Sequence, residues 1–358
     1  MKFLASCTSS GAGILFSQKA VFKFVSCSFR RRAELPRFSS DKAASKGIIY
    51  VHWPYCSQLC TYCNFNKYVS RDVKHDDLVS CLVQEVTTLL RMSTIDEITS
   101  VYFGGGTPSL AEPFAIEAVL ARVNELVPTS PNIEVSLEVN PTSGQLHKLK
   151  HFKLAGVNRL SIGMQSLRNK DLKLFNRDHS VQDALRTLAD ASSLFKGRIN
   201  IDMIFGRPGQ SFVEWKQELS EVIQICDRHV SLYQLTVELG TPLAKMIQKG
   251  ELCLPGSEEV ADMYEHSVEE LEQADFLRYE VSNFSKMGAE CEHSLSYWTG
   301  SDYIGIGPGA HSRFIARQKS SYCHSVNTLE PIQWMTKFYK LNKVSLIKQF
   351  EKMEAVDK

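Results

Sequence analysis

Several things are missing from this 358-residue chain, and each absence removes a class of protein. No apolar run approaches the roughly 20 residues a helix needs to cross a bilayer. Charge of one sign is lacking: 41 basic and 40 acidic side chains leave a net charge of +1, so no global field draws nucleic acid. The ten cysteines have no repeated spacing, which argues against a disulfide framework and points to a reducing compartment. Asp and Glu are absent from Met1 to Ala33, where Lys2, Lys19, Lys23, Arg30, Arg31 and Arg32 stand among frequent serines. An Arg-rich, Ser-rich, acid-poor leader has the composition of a mitochondrial transit peptide. A secretory signal would need one unbroken apolar segment, and Ser, Gly and Lys interrupt it here; an untargeted disordered tail is the other reading. Residues 1–45 are set apart from the fold as a leader, which places the protein in the mitochondrial matrix.

What is present centres on Tyr50 to Asn66, where Cys56, Cys60 and Cys63 form a C-x3-C-x2-C run after a short β-like segment. Thiolates are soft ligands that suit zinc, Cu(I) and iron–sulfur clusters. Structural zinc wants a fourth ligand, usually from a second C-x2-C or H-x3-H pair, and none follows. A partial zinc site and incidental loop cysteines remain the competing readings. Three thiolates on one loop leave one iron of a [4Fe–4S] cube without a protein ligand, and a small molecule can bind there.

Apolar β-branched segments then alternate with helix-period segments. Strands are expected at Ile48–Trp53, Thr99–Phe103, Ile133–Val139, Arg159–Met164, Ile199–Phe205 and Ser231–Val237. Helices are expected at Asp76–Arg91, Phe114–Leu126, Gln145–Leu154, Val181–Phe195 and Phe212–Cys226. Such alternation implies parallel βαβ units with right-handed crossovers. It does not separate a doubly wound sheet from a barrel. Polar residues collect where these strands end. Gly104-Gly105-Gly106-Thr107-Pro108 lets backbone approach a ligand, although a Gly triplet alone is often a tight turn. Glu138 precedes Asn140-Pro141 as a ligand or a turn-capping acid. Gln165 is a polar handle, and Arg177 is either a carboxylate clamp or a solvated face. Asp202 lies between apolar neighbours, so it needs a ligand hydroxyl or a partner. Beyond strand six, Pro255–Phe276 reads as a helix and Arg278–Phe284 as a short strand. Cys291-Glu292-His293-Ser294-Leu295-Ser296-Tyr297-Trp298 reads as a loop, where a His is most often a satisfied hydrogen-bonding residue.

The cysteine run, with Tyr62 before its last Cys, resembles the signature of the radical S-adenosylmethionine (SAM) superfamily. The lead-in Tyr50, His52, Pro54, Tyr55, Cys56 looks like the branch of the oxygen-independent coproporphyrinogen oxidases (HemN) and the HemW haem chaperones. HemN-type enzymes carry another Cys two places after the third ligand; Phe65 stands there, as in HemW-type proteins. The resemblance implies an α/β fold, a partial (β/α)6 TIM-like barrel, with function gathered at the strands' C-terminal ends. It implies a [4Fe–4S] cluster on Cys56, Cys60 and Cys63. It also implies SAM held by Tyr50, Tyr62, Gly105, Gly106, Thr107, Glu138, Gln165, Arg177 and Asp202. The His293 stretch resembles the H-N-x-x-Y-W motif associated with haem, with Ser294 replacing Asn, so His293, Tyr297 and Trp298 are the haem candidates; imidazole is a common haem ligand. Four segments follow: the leader 1–45, the barrel 46–240, a HemW/HemN-like extension 241–325, and a helical tail 326–358 where the family's C-terminal domain is shortened or absent. The implied function is a haem-binding chaperone that delivers haem to acceptor proteins, with an electron donor serving the cluster. The competing functions are a radical SAM oxidase or decarboxylase acting on coproporphyrinogen III and an enzyme with an unrelated substrate.

Overall fold

The computed structural model describes residues 45–70, 72–142, 147–318 and 321–340. The leader lies outside them apart from Ser45, as does the helical tail beyond Lys340. The described chain opens with β1 (Lys46–Trp53), the short β2 (Tyr55–Cys56) and β3 (Tyr68–Val69), and helix α1 (His75–Met92). Next come β4 (Glu97–Gly105), α2 (Pro113–Leu126), β5 (Thr129–Val139), α3 (Leu149–Leu154) and β6 (Arg159–Gln165). They are followed by α4 (Asn169–Leu174), α5 (Val181–Leu194), β7 (Ile199–Phe205), α6 (Phe212–Ile225) and β8 (His229–Gln234). Then come α7 (Pro242–Gln248), α8 (Ser257–Gln273), β9 (Leu277–Arg278), β10 (Asn283–Ser285) and α9 (Glu292–Trp298). The last are β11 (Asp302–Ile306), β12 (His311–Ile315), β13 (Tyr322–Val326) and α10 (Pro331–Lys340).

Strand order decides between the two architectures that periodicity left open. β1, β4, β5, β6, β7 and β8 are neighbours in that sequence, and each adjoining pair is parallel. A doubly wound sheet reverses its order at a switch point; this one never does, so it is a singly wound partial barrel. β11 adds a parallel strand beside β1 and leads into antiparallel β12 and β13, while β10 and β9 extend the β8 edge antiparallel. The segment read as one strand, Arg278–Phe284, is two short strands, because the Glu280 carboxylate accepts the Ser282 N–H at 2.8 Å and closes a turn. The His293 segment, read as a loop, is helix α9.

Alternation along the strands separates two chemistries. Val101 and Phe103, Leu160 and Ile162, and Ile201 and Met203 join one apolar cluster with the buried sides of the helices. That cluster supplies the hydrophobic driving force. The intervening residues face the barrel interior and are mostly polar: Ser100, Glu134, Ser136, Arg159, Asn200 and Ser231 are all buried. Helix placement has local causes as well. Ser180 and Ser211 begin α5 and α6 as capping boxes with Asp183 and Glu214, which satisfies backbone N–H groups at each helix start.

A buried ion cluster ties β6 to α6. Arg207 pairs with Asp171 at 3.1 Å and with Glu218, and Glu218 also accepts the Ser166 hydroxyl at 2.8 Å and the Leu167 N–H at 2.6 Å. Removing one partner strands a buried guanidinium. Glu218→Gln should lower unfolding free energy by about 3 kcal/mol, read from denaturant titration; an unchanged midpoint would show that the cluster contributes no stability.

Candidate functional site

Cavity and sheet share one end. A cavity of about 450 Å³ opens at the C-terminal ends of the barrel strands, within the size range of cofactor pockets. Cys56, Cys60 and Cys63 line its mouth, all free and half-buried. Burial pushes the Cys56 thiol up to about 11 and raises that of Cys63. Among the described residues no three His, Cys, Asp or Glu side chains converge closely enough for a single metal ion.

The cysteine loop is stapled by a segment far away in sequence. Thr61 N donates to Phe175 O at 3.1 Å and Thr61 Oγ1 to Leu174 O at 2.9 Å. Asn176 Nδ2 donates to Leu59 O at 2.8 Å, Gln58 Nε2 to Asn176 O at 2.9 Å, and Ser57 Oγ to Asp178. Asn176 has φ 53°, a left-handed conformation that Asn tolerates. The turn it makes points Arg177 inward. The guanidinium donates to Cys60 Sγ at 3.5 Å, to Gly163 O at 2.8 Å and to Asn140, while its buried Nε has no hydrogen-bond partner. An unsatisfied guanidinium donor beside three thiols suits an anionic ligand group.

The glycine element sits against the same loop. Gly106 N donates to Trp53 O at 2.7 Å and Thr107 N to Tyr55 O at 2.8 Å. A Cβ on Gly106 would come within 2.8 Å of Trp53 O, and one on Gly105, where φ is 109°, within 2.5 Å of the His52 ring. Only glycine fits at either position. Gly105 N donates to Glu138 Oε2 at 3.1 Å, and the Tyr102 hydroxyl donates to Oε1 at 3.0 Å. Across the cavity Asp202 accepts from Ser161 at 2.9 Å and from Asn200 at 2.7 Å. Burial, then the charge of Asp202, raises Glu138 to about 7; burial raises Asp202 to about 6. Gln165 ends β6 with φ 68°, after a register shift between Ile162 and Gln165. Non-glycine residues held in that region cluster at functional sites, and Ser166 anchors this one to Glu218.

Tyr62, Gly105, Gly106, Thr107, Glu138, Gln165, Arg177 and Asp202 therefore share one cavity with the three cysteines. Tyr50 does not line it: it lies behind, its hydroxyl 3.1 Å from His52 Nδ1 and its ring 6.2 Å from that of Tyr102. The haem candidates lie elsewhere. α9 closes the opposite, N-terminal end of the barrel, where His293 is 4 % exposed. Its ring stacks on Tyr102 at 4.8 Å, Nδ1 lies 3.3 Å from Ser100 Oγ, and Nε2 has no partner. Burial lowers its imidazole to about 3, so it is neutral. Tyr297 and Trp298, 43 % and 64 % exposed, face outward. Tyr102, Asn140, Asp178 and Tyr233 also line the cavity and were not singled out from the sequence. The signal for Tyr102 and Tyr233 is the polar alternation inside strands buried on both faces, which ordinarily read as continuous apolar runs.

Comparison with known proteins agrees with this geometry. Residues 50–222 match the family "Radical SAM superfamily". Zebrafish (Danio rerio) "Radical S-adenosyl methionine domain-containing protein 1, mitochondrial" is 49% identical over 306 residues, covering 84% of this chain and 69% of its own. The "Heme chaperone HemW" of Escherichia coli is 35% identical, covering 74% of this chain and 69% of its own. Among solved structures, Escherichia coli coproporphyrinogen III oxidase (HemN) superposes with a TM-score of 0.68 at 24% identity, covering 83% of this chain and 70% of that one; that likeness concerns the fold. Mouse and bovine relatives are also named as mitochondrial, in keeping with the mitochondrial localisation. The chain thus belongs to the radical SAM superfamily, in the group of mitochondrial radical SAM domain-containing protein 1 and HemW.

Proposed function

We propose that the chain is a haem-binding chaperone of the HemW type, acting in the mitochondrial matrix with a [4Fe–4S] cluster and SAM and passing haem to acceptor proteins. The observation that carries the cofactor half is the single cavity in which three half-buried thiols meet Arg177, Gly105–Thr107, Glu138 and Asp202. Cys56, Cys60 and Cys63 would hold the cluster. Arg177 would receive the SAM carboxylate, Gly105, Gly106 and Thr107 would approach its amino group through backbone, and Glu138 and Asp202 would accept its hydroxyls. When bound, a cluster with one open iron would supply to the sulfonium of SAM one electron that it had received from an electron donor. The barrel walls hold the ligand and exclude water. The haem half rests on the HemW relatives and on Phe65, which stands at the mouth, 63 % exposed, where HemN-type enzymes have a further Cys. His293 retains a buried, neutral, unpartnered Nε2, which fits a metal ligand chemically. Reaching it requires α9 to leave the barrel, with Tyr297 and Trp298 already on the outer side to meet a porphyrin face.

Haem added to the anaerobically reconstituted protein should give a Soret shift that His293→Ala abolishes while cluster iron per chain stays constant. Turnover of coproporphyrinogen III by the same preparation would instead establish the oxidase reading.

The carboxyl pair yields a pH dependence. Glu138 and Asp202 accept hydroxyls more strongly when ionised, so SAM affinity should fall by up to about tenfold between pH 8 and pH 6, and Glu138→Gln should weaken binding and flatten that profile. Without ligand the sign reverses. A carboxyl raised from 4.5 to about 7 on folding adds stability that is complete below 4.5 and lost as pH rises through about 7. The apo melting temperature should therefore decline across that window, less steeply in Glu138→Gln; parallel profiles for the two proteins would count against a raised Glu138.

A further inference from the structure

Beneath the cavity the polar residues of the barrel form one directed chain of hydrogen bonds. His229, at the start of β8, is 3 % exposed. Its Nδ1 lies 2.6 Å from Asn200 Oδ1 and its Nε2 lies 2.7 Å from the Tyr279 hydroxyl. Burial first, then the nearby Arg159 charge, holds the imidazole well below its ordinary value, so it is neutral. A neutral ring has one N–H. Two committed serines establish which way Asn200 faces. Ser161 donates to Asp202 at 2.9 Å and Ser231 donates to Asn283 at 2.5 Å, so both hydroxyl oxygens are left to accept from Asn200 Nδ2, at 2.7 and 2.8 Å. Nδ2 is also 2.7 Å from Asp202 Oδ1. The Asn200 oxygen must then face His229 and can only accept, which puts the imidazole proton on Nδ1. Nε2 is left as an acceptor for Tyr279, whose oxygen in turn accepts the Cys291 N–H at 3.2 Å. Every donor points one way, from Cys291 at the start of α9 to Asp202 in the cavity.

We propose that His229 and Tyr279 are positioning residues that set the Asn200 amide and, through it, the Asp202 carboxylate for ligand binding. The inference rests on the reading above that Asp202 holds SAM. The serines and Asp202 orient the Asn200 amide, and Tyr279 completes the arrangement. By donating to Nε2 it fixes the imidazole ring with its proton on Nδ1, against the Asn200 oxygen. Without its hydroxyl Nε2 loses that donor, the ring is no longer held in place, and the Asn200 contact with the Asp202 carboxylate weakens. No proton needs to travel along the chain; the network acts by orientation alone.

The test is a mutant cycle on SAM affinity in the full, cluster-loaded protein, comparing Tyr279→Phe, Asp202→Ala and the double variant, with Asn200→Ser as a second way into the same chain. Melting temperature and cluster iron are measured alongside. Tyr279→Phe and Asn200→Ser should each weaken SAM binding about tenfold, the size of one hydrogen bond to a charged group, and neither should weaken it further when Asp202 is already Ala. A purely structural role would give losses that add to that of Asp202→Ala, and that result, or wild-type affinity in Tyr279→Phe beside a weakened Asp202→Ala, would overturn the proposal. Wild-type affinity in Asp202→Ala would remove the reading of the cavity itself, and the inference with it.

Discussion

A polar side chain withdrawn from water has to find a partner, and the interior of this barrel is arranged around that requirement. Barrels of this family of shapes are commonly filled with branched apolar side chains. Here the inward positions carry Ser100, Tyr102, Glu134, Arg159, Asn200, Asp202, His229 and Ser231, and α9 adds His293 from below. Several of these partnerships span strands: Glu134 with Arg159 from the next strand, Asn200 with residues of β6 and β8, Tyr102 with Glu138. Register and polar satisfaction are therefore one problem. A slip in any strand would strand several groups at once. The apolar outer face supplies the free energy of folding, and the polar inner face specifies which arrangement is adopted.

The same requirement links the two ends of the barrel. Glu138 at the cavity is held by Tyr102, and the other side of the Tyr102 ring lies against His293 of α9. Glu134 accepts both the Cys291 thiol and the His293 N–H, each at 3.3 Å. Residues proposed to bear on SAM and residues that resemble a haem motif thus occupy one packed column. Movement of α9 would uncover Tyr102 and leave Glu134 with fewer donors, and such a movement therefore carries a cost felt at the cavity. Coupling between sites needs a physical connection of this kind with two discrete arrangements; the described arrangement is one of them.

The cavity mouth has a different logic. Three cysteines within eight residues cannot hold their own loop in shape, and the 174–178 turn does so through backbone and side-chain bonds. A second glycine-rich segment, Gly305–Gly309, plays a matching part on the other side. Gly307 N donates to the buried Glu85 at 2.7 Å, and Asn66, whose carbonyl meets His52 Nε2 at 2.7 Å, donates to Pro308 O at 2.9 Å. That segment backs β1 and the end of the cysteine loop rather than lining the cavity.

Much of this was legible from the residues alone. Alternating apolar segments located six strands and five helices, because burying one face of each element imposes its own period on the chain. The cysteine run, the glycine triplet and the acids at strand ends were legible for a second reason: ligand chemistry needs particular atoms at particular short spacings, and short spacings survive in sequence. Strand order was not, since doubly wound sheets and barrels share one periodicity and differ only in which edges meet. Nor was the place of His293, which local pattern assigned to a loop and packing made the underside of the barrel. The 174–178 staple, the Tyr102 support for Glu138 and the chain from Cys291 to Asp202 all join residues from distant parts of the sequence. Their partnership depends on how β-strands lie side by side, which only the tertiary arrangement determines.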